Sequence, residues 1–196
     1  MGHCVWPDPV TLTGTYVRLE PLAQRHCADL QQAAADLQGL WYTWVPSVDG
    51  MAAEIERRNA LSDMRAFAVV DQQTGQAMGM TTYMNIDVDN ARVEIGSTWL
   101  GKDIQRGPWN TQAKLLMLAH AFEVLGCIAV EFRTHRLNSQ SRRAIERLGA
   151  QLDGILRNHM KTQGTGHRDT AVYSVIESEW PVVKTHLQWQ LDKPRA

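Results

Sequence analysis

The sequence predicts an α/β fold of the mixed kind: a mostly antiparallel, twisted sheet of about seven strands with a splayed parallel pair at its centre, covered by helices. Three observations predict it. Strand-like runs at residues 65–70, 77–84 and 93–100 follow one another across short turn sequences, Gln73-Thr74-Gly75 and Asp87-Val88-Asp89-Asn90, which is the pattern of an antiparallel meander. A long helical run at 110–125 then separates the third of these strands from another, in which Ile128, Val130 and Phe132 alternate with polar residues. A strand–helix–strand passage of that length implies a crossover and a locally parallel pair. Finally, 196 residues with 44% hydrophobic and 21% charged side chains are enough to bury one core.

The elements follow in order. Residues 11–20 (TLTGTYVRLE) alternate and carry β-branched side chains, as a strand does. Residues 22–36 read as a helix with Leu22 and Leu30 inward. The Trp-rich stretch Leu40-Trp41-Tyr42-Thr43-Trp44-Val45-Pro46 cannot be a long helix, because Pro46 breaks it. Asp49 is placed to cap a helix running to about Leu61, with Met51, Ile55 and Leu61 on its apolar face. After the meander, Asn110 or Thr111 caps the long helix, Leu115, Leu118, Ala119 and Phe122 share a face, and Gly126 ends it. Asn138 caps a further helix that stops at Gly149, and two strands, 151–160 and 171–176, flank a Gly164-Thr165-Gly166 turn.

Charge and cysteine content exclude several function classes. Twenty basic residues against 21 acidic ones leave a net charge of -1, which lacks the basic footprint of a phosphate-backbone binder, so nucleic acid is an unfavoured partner. Three cysteines at unrelated spacings do not make a disulfide scaffold. No run of about 18 apolar residues spans a membrane, and the N-terminal residues show no signal-peptide pattern, so a cytoplasmic location is expected. The seven histidines show no metal-ligand spacing, and no metal is expected.

Four places carry candidate chemistry. The loop Gln105-Arg106-Gly107-Pro108-Trp109-Asn110-Thr111 leads into a helix N-terminus, whose free N–H groups and dipole suit an anion, phosphate above all; an ordinary capped helix is the alternative. Asn138 and Ser141 likewise lie at one helix end, followed by Arg142, Arg143 and Arg147, with simple capping and a solvated arginine face as the alternative. Glu94, between Val93 and Ile95, has a raised pKa and base character if buried, and neither if it faces solvent. Trp41, Tyr42 and Trp44 line either a small-molecule pocket or the core. Cys127 opens an apolar strand and reads as an inert buried thiol.

Taken together, Val93-Glu94-Ile95-Gly96-Ser97-Thr98-Trp99, the 105–111 loop, Asn110-Thr111-Gln112-Ala113-Lys114-Leu115-Leu116 and the run from Asn138-Ser139-Gln140-Ser141 to Leu148-Gly149-Ala150 resemble the GNAT superfamily of acyl-CoA-dependent N-acetyltransferases, in the branch similar to ribosomal-protein N-terminal acetyltransferases. The resemblance covers roughly residues 11–180 and implies one N-acetyltransferase domain with a C-terminal extension at 181–196. It implies acetyl-CoA as cosubstrate and a primary amine, on a protein N-terminus or a small molecule, as acceptor. The backbone at Thr98, Trp99 and Leu100 would pair with the pantetheine arm. Gln105, Arg106, Gly107, Trp109 and Asn110, with the Thr111 amide, would hold the pyrophosphate. Asn138 would bond the pantetheine chain, Ser141 would lie near the sulfur, and Glu94 would be the base. Arg106, Lys114, Arg142, Arg143 and Arg147 would supply charge for the phosphates.

The sequence departs from the family pattern at two points. Pro108 and Asn110 stand where the phosphate loop has glycines, and Ile145 stands where many members have a tyrosine acid, which leaves Ser141 as its substitute. These departures make a non-catalytic acyl-CoA-binding module the rival reading. The segment Trp41–Trp44 would overlie the acceptor cleft, and Trp99 and Trp109 would flank it. The apolar stretch 180–191 would support a homodimer.

Overall fold

The computed structural model describes residues 9–39, 44–162 and 166–193. Its sheet has eight strands in the order β1-β2-β3-β4-β5-β6-β8-β7. They are β1 (Leu12–Thr13), β2 (Val17–Pro21), β3 (Arg65–Asp71), β4 (Ala77–Asp87), β5 (Arg92–Leu100), β6 (Ala129–His135), β7 (Gln151–Lys161) and β8 (His167–Ile176). Every pairing is antiparallel except β5 with β6. The extra strand arises at the start, where the predicted run 11–20 is split in two: Gly14 closes a turn onto Val17 through a 2.8 Å backbone bond, so β1 and β2 form a hairpin.

Helices cover both faces. Alternation in β3 shows how the sequence makes two cores. Phe67 and Val69 point to a large core with α3 (Trp109–Ala119) and α5 (Trp180–Asp192). Ala66, Ala68 and Val70 point the other way, to a smaller core with α1 (Cys27–Ala34) and α2 (Met51–Asn59). Helix α5 turns Trp180, Val183, Leu187 and Leu191 inward, and leaves Val182 and Trp189 exposed.

Two helix boundaries differ from expectation. Asp49 does not cap α2; Gly50 is the N-cap residue, and its N–H is taken by Ser47 Oγ at 3.0 Å. Helix α3 starts at Trp109, with Pro108 as its N-cap residue rather than Asn110 or Thr111, and passes into a π-helical turn at His120–Val124 before Gly126, at φ +67°, ends it. The remaining helix, α4 (Ser139–Glu146), is capped as expected, Asn138 Oδ1 accepting from the Ser141 N–H at 3.0 Å.

The parallel junction positions the candidate site. Strands β5 and β6 pair only over Arg92–Glu94 and Ala129–Glu131. Beyond Glu94, β5 continues to Leu100 without β6 beside it, so the sheet splays there. Strand β5 also carries a bulge. Between the Thr82↔Gly96 and Met80↔Trp99 pairs, Thr81 of β4 stands against two residues of β5, Ser97 and Thr98, and Ser97 takes φ +48°. The bulge reverses which side chains face which core. Val93 and Ile95 face α3, and after the bulge so does Thr98, while Glu94, Gly96 and Trp99 face the α1/α2 side.

Candidate active site

Glu94 lies at the splay and is buried, which removes the solvent-facing alternative. Its Oε2 accepts from Asn85 Nδ2 at 2.7 Å, and Arg133 Nε lies 3.5 Å from the same oxygen. Asn85 reaches in from β4 because its backbone is left-handed, φ +46°. Burial pushes the Glu94 pKa up, against the opposing pull of Asn85 and of the Arg133 and Arg168 charges. The other oxygen, Oε1, stands over Gly96: a Cβ there would come within 2.9 Å of it and within 2.8 Å of Met84 Sδ. Glycine at this position therefore leaves room for the carboxylate to reach toward the bulge.

The face opposite Glu94 carries the helix terminus. In α3 the first helical bond is from Gln112 N–H to the Pro108 carbonyl, at 2.9 Å. The N–H groups of Trp109, Asn110 and Thr111 precede it and have no intrahelical acceptor. Arg106 adopts φ +63°, which lets the chain turn sharply into the helix. Gln105 Nε2 donates to the Leu100 carbonyl at 2.7 Å and ties this loop back to the end of β5. The Trp109 ring folds back over Gly107, where a Cβ would collide with it, and its Nε1 donates to Asp71 Oδ1 at 2.8 Å.

One of the basic residues expected to face phosphate is buried instead. Lys114 is fully buried, donating to Thr81 Oγ1 at 2.8 Å and Thr98 Oγ1 at 2.7 Å, with no carboxylate in ion-pair contact among the described residues. Burial pushes its pKa down to about 7. The reason is its helix face: Lys114 lies three and four residues before Met117 and Leu118, both buried. Arg142 donates from Nε to the Tyr173 hydroxyl at 2.8 Å, and that hydroxyl donates to Glu146 Oε1 at 2.7 Å. Arg147 does reach the α3 terminus, its Nη2 lying 3.5 Å from Thr111 Oγ1.

On the α1/α2 side, Trp44 is exposed and sits 5.8 Å from the Arg58 guanidinium carbon. Trp41 and Tyr42 lie outside the described residues. Trp99 is buried, and its Nε1 has no hydrogen-bond partner among the described residues. Trp44, Pro46, Ser47, Gly50, Ala53, Glu54 and Arg57 line an open depression. Sequence reasoning missed Asn85, Arg58 and the buried state of Lys114. The i,i+4 spacing of Glu54 and Arg58 was the available signal for Arg58, and the Lys114–Met117–Leu118 spacing for Lys114. Among the described residues no group of three or more His, Cys, Asp and Glu side chains is arranged to hold a metal, and no helix is long and apolar enough to cross a membrane.

Comparison with known proteins agrees with this geometry. Residues 17–151 match the family model described as an acetyltransferase (GNAT) domain. The Bacillus subtilis (strain 168) protein YdaF, provisionally named a ribosomal N-acetyltransferase, is 31% identical over 106 residues, which are 54% of this chain and 57% of that protein. The chain spans about three fifths of the length of the curated relatives it matches. Among solved structures, a GCN5-related N-acetyltransferase from Brucella melitensis superposes with a TM-score of 0.86 at 36% identity, covering 94% of this chain and 86% of that one. A provisionally named acetyltransferase from T. thermophilus gives 0.83 at 32%, covering 95% and 100%.

Proposed function

The chain belongs to the GNAT acetyltransferase family, in the branch similar to ribosomal N-acetyltransferases, and from that premise we propose that it moves an acetyl group from acetyl-CoA to a primary amine within a ternary complex. The observation that carries this reading is Glu94. It is a buried carboxylate of raised pKa, fixed by Asn85 through one oxygen and reaching over Gly96 with the other, at the point where the sheet opens.

The residues present fit acetyl-CoA. The backbone of Thr98, Trp99 and Leu100 runs along the splay as a strand edge to which an extended amide chain can bond. The Trp109, Asn110 and Thr111 amides, with Gln105, Arg106 and Gly107 leading into them, suit the pyrophosphate. They stand in for the glycines that Pro108 and Asn110 replace. Asn138, whose Oδ1 serves the α4 cap, and Ser141 lie at the second helix end, with Arg142 beside them. Acetyl-CoA supplies a thioester whose leaving thiolate, of ordinary thiol pKa ~8.5, needs little assistance.

An amine acceptor is mostly protonated at neutral pH, with pKa ~8 to ~10. Glu94 removes that proton, directly or through one water, so that the nitrogen lone pair can attack the thioester carbon. Attack forms the C–N bond and a tetrahedral intermediate whose oxyanion an N–H on the splayed strand steadies. The C–S bond then breaks, the Ser141 hydroxyl steadies the departing thiolate, and the second proton of the attacking nitrogen passes to that thiolate, leaving the amide and the free CoA thiol. Holding both substrates in one cleft supplies much of the rate.

The test is Glu94→Gln. Turnover, followed as free thiol release from acetyl-CoA, should fall by ~10²–10⁴-fold, with acetyl-CoA affinity unchanged. The wild-type rate should also fall as pH drops through the raised Glu94 pKa, a limb the variant lacks. Full activity in the variant would reject the base assignment.

A further inference from the structure

The α1/α2 side of the splay holds a guanidinium that the acetyl-transfer chemistry does not use. Arg58 is only 1% exposed. Its Nε donates to Glu54 Oε1 at 2.6 Å, and its Nη1 donates to Thr82 Oγ1 at 2.9 Å and approaches the Ser97 carbonyl at 3.5 Å. Its Nη2 is buried and has no hydrogen-bond partner among the described residues. A buried guanidinium normally satisfies all its N–H groups, because an unpaired one forfeits its hydration without return.

Position gives this orphan donor meaning. Thr82 pairs with Gly96 across β4 and β5, and Ser97 is the bulge residue. The Arg58 head group therefore touches the cross-strand partner of Gly96 and the residue that follows Gly96, while Glu94 Oε1 projects over Gly96 itself. Charge adds direction. Glu54 is shared with Arg57, which donates to it from Nε at 2.7 Å and from Nη2 at 2.8 Å, so one carboxylate faces two guanidiniums. Glu131 is likewise shared by Arg92 and Arg133, and Arg133 and Arg168 both act on Glu94. Arg168, which acts electrostatically on Glu94, also has a buried Nε with no hydrogen-bond partner among the described residues.

We propose that Arg58 is a specificity-determining residue that binds an anionic group, a carboxylate, carried by the acceptor close to its amine. The amine lies at Glu94 and the carboxylate at Arg58 Nη2, reached past the exposed Trp44 ring. A carboxylate satisfies the orphan N–H with a charge-assisted bond and offsets the cationic excess, whereas a neutral carbonyl does only the first. The inference rests on the acetyl-transfer reading and adds the acceptor's chemical class to it.

Three acceptors with one side chain separate the possibilities: phenylalanine, phenylalaninamide and phenethylamine, compared by thiol release from acetyl-CoA with rates corrected to the free-base concentration of each. Wild type should use the carboxylate-bearing amine with kcat/KM at least ten-fold above the amide and the plain amine. Arg58→Met should abolish that preference mainly through KM, and Arg58→Lys should restore part of it. Equal or better use of the amide or the plain amine by wild type would overturn the proposal, even if the Arg58 variants fail to fold. So would a preference that survives in Arg58→Met. Absence of thiol release with every acceptor would instead overturn the acetyl-transfer reading on which it rests.

Discussion

Replacing Lys114 by methionine should stabilise this protein, although the lysine makes two good hydrogen bonds. In the unfolded chain its amine titrates near the ordinary 10.5, and in the fold near 7. Between those values the unfolded state holds a proton that the folded state has released, so stability rises with pH across that window. It falls as pH drops, and the full cost is reached below about 7. A shift from 10.5 to about 7 corresponds to roughly 5 kcal/mol, at ~1.4 kcal/mol per unit. Methionine forfeits the bonds to Thr81 and Thr98, worth about 1 kcal/mol each. It leaves those hydroxyls bonded to each other at 2.8 Å, with Thr98 also donating to the Gly96 carbonyl at 3.3 Å.

The balance is a gain of about 3 kcal/mol near neutral pH, or roughly 6–12 °C in Tm for a chain of this size. Urea unfolding of both proteins at pH 6, 7, 8, 9 and 10 measures it. The wild-type minus variant difference isolates Lys114, because the other titrating groups contribute equally to both. The difference should shrink by ~1.4 kcal/mol per pH unit above 7 and change sign toward pH 10. A less stable variant at pH 7, or a difference that does not vary with pH, would refute the reasoning.

Two further substitutions probe the site. Gly96→Ala places a methyl where Glu94 Oε1 and Met84 Sδ now lie, so it should displace the carboxylate and lower kcat. A stability loss of about 1–3 kcal/mol should accompany it, and an unchanged kcat would show that Glu94 does not need that space. Ser141→Ala should slow turnover by about five- to ten-fold, the value of one hydrogen bond in the transition state. An undiminished rate would leave the departing sulfur without help from this residue.

The meander, the crossover helix and the Asn138 cap were legible in the sequence, because each depends on local patterning: alternation, helical spacing and a capping side chain. The bulge was not. In Val93-Glu94-Ile95-Gly96-Ser97-Thr98-Trp99, plain alternation puts Trp99 on the face of Val93 and Ile95. The left-handed backbone at Ser97, a residue with no special liking for it, sends Trp99 to the other core and Thr98 to Lys114. Lys114 illustrates a second limit. Its charge suggested phosphate, whereas its spacing from Met117 and Leu118 placed it inside, and the spacing prevailed. Asn85 could not be read at all, and of Arg58 only its i,i+4 pairing with Glu54 could, since the place of both in the site depends on elements brought together from distant parts of the chain.

The shortness of the parallel junction has a mechanical consequence. Only three residue pairs join β1–β5 to the group formed by β6, β8 and β7, so the eight strands behave as two plates riveted along one short seam. Helices α3 and α5 span the seam from one side, burying residues of both plates in the larger core. A ligand lying along β5 beyond Glu94 would act as a further rivet. Its binding energy would then count toward resistance to prying the plates apart, growing with the logarithm of its concentration over its Kd.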